Sequence, residues 1–208
     1  MSGRSKSSDR WLREHFGDPF VQRAKSEGWR SRAIYKLEQI DGKEKLLKPG
    51  HLCLDLGAAP GAWSQYARRQ VGRPGRVIAT DILAMPAIPG VEFVQGDFRA
   101  PEVFAQLLAL CPERGADLVL SDMAPNLSGV DAIDHPRCAY LVELALELAG
   151  RVLKPDGCAL IKVFQGAGFE ELVRTARLQF AKVKLVKPQA SRTRSPELYL
   201  LAKALVMV

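Results

Sequence analysis

Five short apolar runs punctuate the chain: Leu52–Leu56, Val77–Ile82, Val91–Val94, Leu118–Leu120 and Ala159–Phe164. Stretches long enough for helices lie between them, namely Ala62–Val71 after the first run, Pro101–Leu110 after the third and Arg137–Leu153 after the fourth. The last carries Tyr140, Leu141, Leu144, Ala145, Leu148 and Val152 at helical spacing. Strands that alternate with helices predict an α/β architecture, a mostly parallel, doubly wound sheet with helices on both faces. Two further runs, Val183–Val186 and Leu198–Val206, flank a polar loop around Ser191–Pro196 and read as a hairpin that closes the sheet with an antiparallel strand. Ahead of the first run, Ser31 is positioned to cap a short helix whose buried side is Ala33, Ile34, Leu37 and Ile40, with Lys36 flanking that side.

With 208 residues, 47% hydrophobic and 25% charged side chains, the chain can bury a full core as one domain with a small appendage. Disordered, collagenous and disulfide-scaffold classes are thereby excluded. No run approaches the roughly 18 apolar residues of a membrane span, and the basic, polar start at Ser2–Lys6 is unlike a signal peptide, so a cytoplasmic protein is expected. Cys53, Cys111, Cys138 and Cys158 form no Cys-x-x-Cys pair, and His15, His51 and His135 add no ligand spacing. The cysteines read as buried hydrophobes, and no metal site is expected.

The net charge of +7 is unevenly spread: +5 over residues 1–48, −4 over 49–161 and +6 over 162–208. Basic ends around an acidic middle fit a polyanionic partner, nucleic acid before others, gripped by the terminal segments. Arg4, Lys6, Arg10, Arg23, Lys25, Arg30 and Arg32 on one side, and Lys182, Lys184, Lys187, Arg192 and Arg194 on the other, are the candidate phosphate contacts. Trp11, Trp29, Tyr35 and Tyr199 could stack on bases or belong to the core. The polar stretch Asn126–Pro136 reads as a mobile substrate loop.

The first strand runs into Asp55-Leu56-Gly57-Ala58-Ala59-Pro60-Gly61 ahead of a helix, where open parallel sheets bind cofactors. A dinucleotide fingerprint would need glycine where Ala59 stands, so a nucleoside cofactor without phosphates suits the turn better. Asp81, Asp97 and Asp122 then close the second, third and fourth strands, which sets four carboxylates along one rim. An acid after the second strand can accept from ribose hydroxyls, and one after the third from an adenine amino group.

The chain resembles the FtsJ-type ribose 2′-O-methyltransferases over almost its whole length. The resemblance rests on Gly28-Trp29-Arg30-Ser31-Arg32-Ala33-Ile34-Tyr35-Lys36-Leu37, on Asp55 to Gly61 with Trp63-Ser64-Gln65-Tyr66, and on Gln95-Gly96-Asp97-Phe98. Ser121 to Asn126, Lys162-Val163-Phe164-Gln165-Gly166 and Ser191 to Tyr199 complete it. One departure is Gly61-Ala62-Trp63, where the family has a second glycine before the aromatic. The resemblance implies a Rossmann-like class I methyltransferase fold with a seven-stranded sheet. It implies S-adenosylmethionine as cofactor, held by Gly57, Pro60, Gly61, Trp63, Asp81, Asp97 and Asp122, and a catalytic set Lys36, Asp122, Lys162 and Glu197. The implied reaction is methylation of a uridine ribose in large-subunit ribosomal RNA, within the assembled subunit, by a monomer. Residues 1–48 would be a basic RNA-binding extension and 49–208 the methyltransferase domain.

The chemistry fits such a set. A ribose hydroxyl needs its proton removed and its oxygen aligned with the methyl donor. Lys162 can act as base only when neutral; burial and the nearby Lys36 favour that form, whereas Asp122 favours the ammonium, leaving a base and a charged steering group both open. Other readings are a transfer-RNA or cap methyltransferase, a non-catalytic ribosome-assembly factor, and a nicotinamide-dependent oxidoreductase, which Ala59 disfavours. If the ends hold RNA, log affinity falls with log salt, and Arg32→Ala or Arg194→Ala flattens that slope in binding titrations.

Overall fold

The computed structural model describes residues 17–193 and 195–206. The expectations for the basic tail, Trp11, His15 and Arg194 lie outside the described residues. Helices α1 (Pro19–Ser26) and α2 (Ile34–Glu44) precede β1 (Leu52–Leu56), α3 (Ala62–Val71), β2 (Arg76–Asp81) and β3 (Val91–Gln95). The chain continues through α4 (Pro101–Leu110), β4 (Ala116–Ser121), α5 (Asp131–Val152), β5 (Leu153–Phe164), α6 (Phe169–Gln179), β6 (Phe180–Val186) and β7 (Glu197–Leu205). The strands form one sheet in the order β3-β2-β1-β4-β5-β7-β6. Strands β1 to β5 pair in parallel, and β7 runs antiparallel to both β5 and β6. This is the doubly wound, mostly parallel sheet with one reversed strand that the sequence predicts.

Strand alternation sorts the core into two layers. Leu54, Leu56, Val119, Ile161 and Leu200 face α4, α5 and α6. Cys53, Leu118, Leu120, Leu160, Tyr199 and Leu201 face α1, α2 and α3, where they meet Ile34, Leu37, Ile40, Trp63 and Ala67. Residues 24–47 therefore supply 7 of the 21 buried residues of one layer. All four cysteines are buried and free, as expected.

Three local features differ from expectation. Helix α6 was not anticipated; Phe169, Leu172, Val173 and Ala176 give it a buried stripe at helical spacing, amid a polar sequence. Ser31 bonds to the Ala33 N–H, two residues on, and leads the chain into α2 without capping it. Helix α5 begins at Asp131, with Pro136 inside it, so the second half of the expected substrate loop is helical. The cause is Asp134, whose carboxylate accepts the N–H groups of Ser128 and Gly129 and the Ser128 hydroxyl, each at 2.9 Å, and so fixes the approach to the helix.

A second buried acid fastens the end of α2 to α3. Asp41, 6% exposed, accepts the N–H groups of Leu46 (2.7 Å) and Leu47 (2.9 Å) just past the helix end, and the Tyr66 hydroxyl of α3 (2.9 Å). Asp41→Ala orphans all three donors and is expected to cost about 2–4 kcal/mol of stability in urea denaturation. A loss below about 0.5 kcal/mol would contradict this placement.

Candidate active site

Strand order reverses between β1 and β4, and the crevice beyond the carboxyl ends of the strands there is where open sheets take ligands. A cavity of about 550 Å³ occupies it, within the usual range for small-molecule sites. Gly57 and Ala59 of the glycine turn, Asp81, Leu83, Asp97, Met123, Arg137 and Tyr140 are among its lining. Gly57 has a positive φ of 75°, and a Cβ there would come within 2.6 Å of Met123 Cγ, so the turn can lie this close to the β4 end only as glycine. Asp81 Oδ2 accepts the Ala59 N–H (2.8 Å) and Oδ1 the Leu83 N–H (2.8 Å), which fixes the carboxylate at the cavity lining. Asp97 is held below the usual carboxylate range by its hydrogen bonds with Arg99, an exposed pair that a ligand amine can replace.

Of the residues expected to hold a cofactor, Gly57, Asp81, Asp97 and Asp122 line the cavity, and Pro60, Gly61 and Trp63 do not. Trp63 is buried; its indole N–H donates to the Ala33 carbonyl (2.7 Å) and its ring packs on Tyr199 at 5.6 Å. Ala62, where the sequence departs from the family pattern, is also buried and outside the lining.

The four expected catalytic residues converge beside the cavity, and register explains why. Lys162 and Asp122 continue the alternation of Leu160 and of Leu118 and Leu120, so both turn to the layer that carries α2. On β7, Glu197 and Tyr199 share that face, and Tyr199 lies directly opposite Lys162. Lys162, 8% exposed, contacts both the Asp122 carbonyl (2.5 Å) and Asp122 Oδ1 (3.1 Å). The Tyr199 hydroxyl donates to the same Oδ1 at 2.7 Å. Lys36 reaches Glu197 at 2.8 Å and 2.9 Å to its two oxygens, and the Ser191 hydroxyl also donates to Glu197 (2.9 Å). The Lys36 ammonium stands 5.9 Å from the Tyr199 ring centre. Burial pushes the Asp122 carboxyl up, but the charges of Lys162 and Lys36, with bonds from Tyr199 and Lys162, outweigh it and hold the group below its ordinary value. Tyr199 is raised well above its ordinary value by burial, then by the charges of Asp122 and Glu197, and stays a neutral donor. Its place here, rather than as a stacking platform, was legible as position i+2 from Glu197 on a strand.

Of the eight basic candidates among the described residues, five are engaged within the protein. Arg23 pairs with Glu27 (2.7 Å). Arg32 pairs with Asp18 (3.0 Å) and donates to the Ala190 carbonyl, Lys184 pairs with Glu44 (2.6 Å), and Lys187 donates to the Ser195 carbonyl. Arg30 donates to three backbone carbonyls. Arg32→Ala should therefore act on stability more than on a salt slope, a correction to the sequence expectation. Among the described residues no group of three or more His, Cys, Asp or Glu could hold a metal, and no helix is long and apolar enough to cross a membrane.

The sequence pattern of the FtsJ-like methyltransferases matches residues 29–205. The chain is 58% identical over 200 residues to the ribosomal RNA large subunit methyltransferase E of Legionella pneumophila (strain Corby), covering 96% of this chain and 97% of that one. To the protein of the same name from Stenotrophomonas maltophilia (strain K279a) it is 57% identical over 203 residues, covering 98% and 97%. A crystal structure titled as a ribosomal RNA methyltransferase from Plasmodium falciparum superimposes with a TM-score of 0.77 at 28% identity, over 86% of this chain and all of that one.

Beneath the glycine turn, Asp55 is fully buried; Oδ2 accepts the Ser64 hydroxyl (2.5 Å) and Oδ1 has no partner among the described residues. Burial pushes its carboxyl up to about 7; the Ser64 bond opposes this, and the charges of Asp122 and Asp81 add to it. The folded state then keeps a proton that the unfolded chain releases near pH 4, so the stability contributed by this group is complete below about pH 4 and lost as pH rises through about 7. Between about pH 4 and pH 8, Asp55→Asn should gain on the wild type by up to about 4 kcal/mol in urea denaturation, and parallel curves would exclude the shift.

Proposed function

The chain belongs to the FtsJ-like methyltransferase family, and from that premise we propose that it methylates the ribose 2′-hydroxyl of a uridine in large-subunit ribosomal RNA, with S-adenosylmethionine as donor. We place the reaction on the assembled subunit, in the cytoplasm, with the enzyme as a monomer that needs no metal. Residues 1–48 are proposed to meet RNA as an extension of the methyltransferase domain at 49–208, with α2 packed into the core of that domain. The observation that carries the reading is the joined network Lys36–Glu197 and Lys162–Asp122–Tyr199, set against the cavity through Asp122.

The cavity fits the cofactor. Its size, the bare Gly57 turn and the acceptors Asp81 and Asp97 suit a ribose and an adenine amino group. When bound, S-adenosylmethionine supplies a methyl group already activated by its sulfonium. What remains for the chain is to hold the acceptor oxygen in line and to take its proton. Asp122 touches both halves of the site, lining the cavity and bonding Lys162. Lys162 is placed to take the hydroxyl proton, and the two Asp122 acceptors stabilise the ammonium that the transfer creates. Tyr199 keeps Asp122 in place, and Lys36, neutralised by Glu197, steers the incoming hydroxyl.

Labelled methyl should pass from S-adenosylmethionine to large subunits lacking the modification and appear on a ribose 2′-oxygen. Lys162→Ala should lower the single-turnover rate by about 10²–10⁴-fold with cofactor binding retained. The rate should rise with pH in the wild type and lose that limb in Lys162→Arg; a profile unchanged by the substitution would exclude the base.

A further inference from the structure

We infer that Arg30 is a positioning residue for the cofactor cavity, a clamp that ties the glycine-rich turn to the segment after β2, and that its guanidinium serves the protein rather than RNA phosphate. The inference rests on the reading of that cavity as the S-adenosylmethionine site.

Arg30 Nη1 donates to the Pro60 carbonyl at 3.0 Å and to the Pro86 carbonyl at 2.6 Å, and Nη2 donates to the Ala87 carbonyl at 2.9 Å. One planar fork thus joins two segments distant in sequence. Its base is fixed, because the Arg30 N–H donates to Gln65 Oε1 of α3 at 3.0 Å. Both clamped segments adjoin cavity lining: Ala59 immediately precedes Pro60, and Asp81, Ile82 and Leu83 lead into the 84–90 stretch. On the inner side the same two segments are joined by the Ala59 N–H bond to Asp81. The cavity wall is therefore held at two points, by Asp81 within and Arg30 without.

Gly61 supplies an independent observation. Its φ is 105°, and a Cβ there would stand 2.8 Å from Ile88 Cδ1, 3.0 Å from Arg30 Nη1 and 3.1 Å from Met85 Sδ. Gly61 lies outside the cavity lining, so its missing side chain makes room for the clamp and not for a ligand. A lysine at residue 30 keeps the charge, but its one nitrogen ends a bond short of Nη1, the atom that bridges the Pro60 and Pro86 carbonyls, and it has no second nitrogen for Ala87.

The test is calorimetric titration of S-adenosylmethionine into the wild type, Arg30→Lys and Gly61→Ala, with large-subunit KM and its salt slope measured at saturating cofactor. Cofactor affinity is expected to fall about tenfold in Arg30→Lys and similarly in Gly61→Ala, and the double variant should be no weaker than either alone. Subunit KM and salt slope should stay at wild-type values. Wild-type cofactor affinity in folded Arg30→Lys, even with a lowered Tm, would overturn the clamp, as would a raised subunit KM with a shallower salt slope. Should Gly61→Ala not fold, Arg30→Lys decides alone. A wild type that binds no S-adenosylmethionine would overturn the reading of the cavity and this inference with it, a pattern none of the other outcomes gives.

Discussion

Two lysines at the rim of a sheet can stay there only if their charges are met, and the arrangement of this protein follows from that constraint. Lys162 is almost wholly buried and Lys36 nearly so, and an unpaired buried ammonium would cost several kcal/mol. Asp122 answers one and Glu197 the other, with Tyr199 and Ser191 donating to the carboxylates. Each ion pair draws its members from different elements, so charge neutralisation and the docking of α2 and β7 on the sheet are one requirement.

Much of this could be read from the residues because it depends on local patterns. The β1 run ending at Leu56, the turn at Gly57 and the acids after successive strands announce a parallel sheet with a ligand site at its rim. The resemblance of Lys36, Asp122, Lys162 and Glu197 to a family set picked out residues that share one face, but the face itself needed the β5–β7 register, with Tyr199 opposite Lys162. What stayed hidden is non-local. Nothing near Arg30 in sequence says that its acceptors are the carbonyls of Pro60, Pro86 and Ala87. Helix α6 was obscured because four buried positions sit among charged ones. The start of α5 was obscured because Asp134 organises backbone that precedes it.

The same distinction separates the charged surface from the charged interior. Counting Arg and Lys in the terminal segments suggests an RNA-binding face, yet Arg23, Arg30, Arg32 and Lys184 are occupied by carboxylates or carbonyls. Composition reports how many cations a segment carries; packing decides how many of them remain for a partner.

Lys36 and Glu197 lie 161 residues apart, and β7 reaches its place only by inserting between β5 and β6. Contacts of such sequence separation close late, after more local structure has repaid its loop entropy. A molecule whose cavity is formed but whose β7 is undocked would keep the glycine turn and lack Glu197 and Tyr199. In the proposed mechanism the site is complete only once α2 and β7 have met, so activity would report that the chain between Lys36 and Glu197 has been assembled.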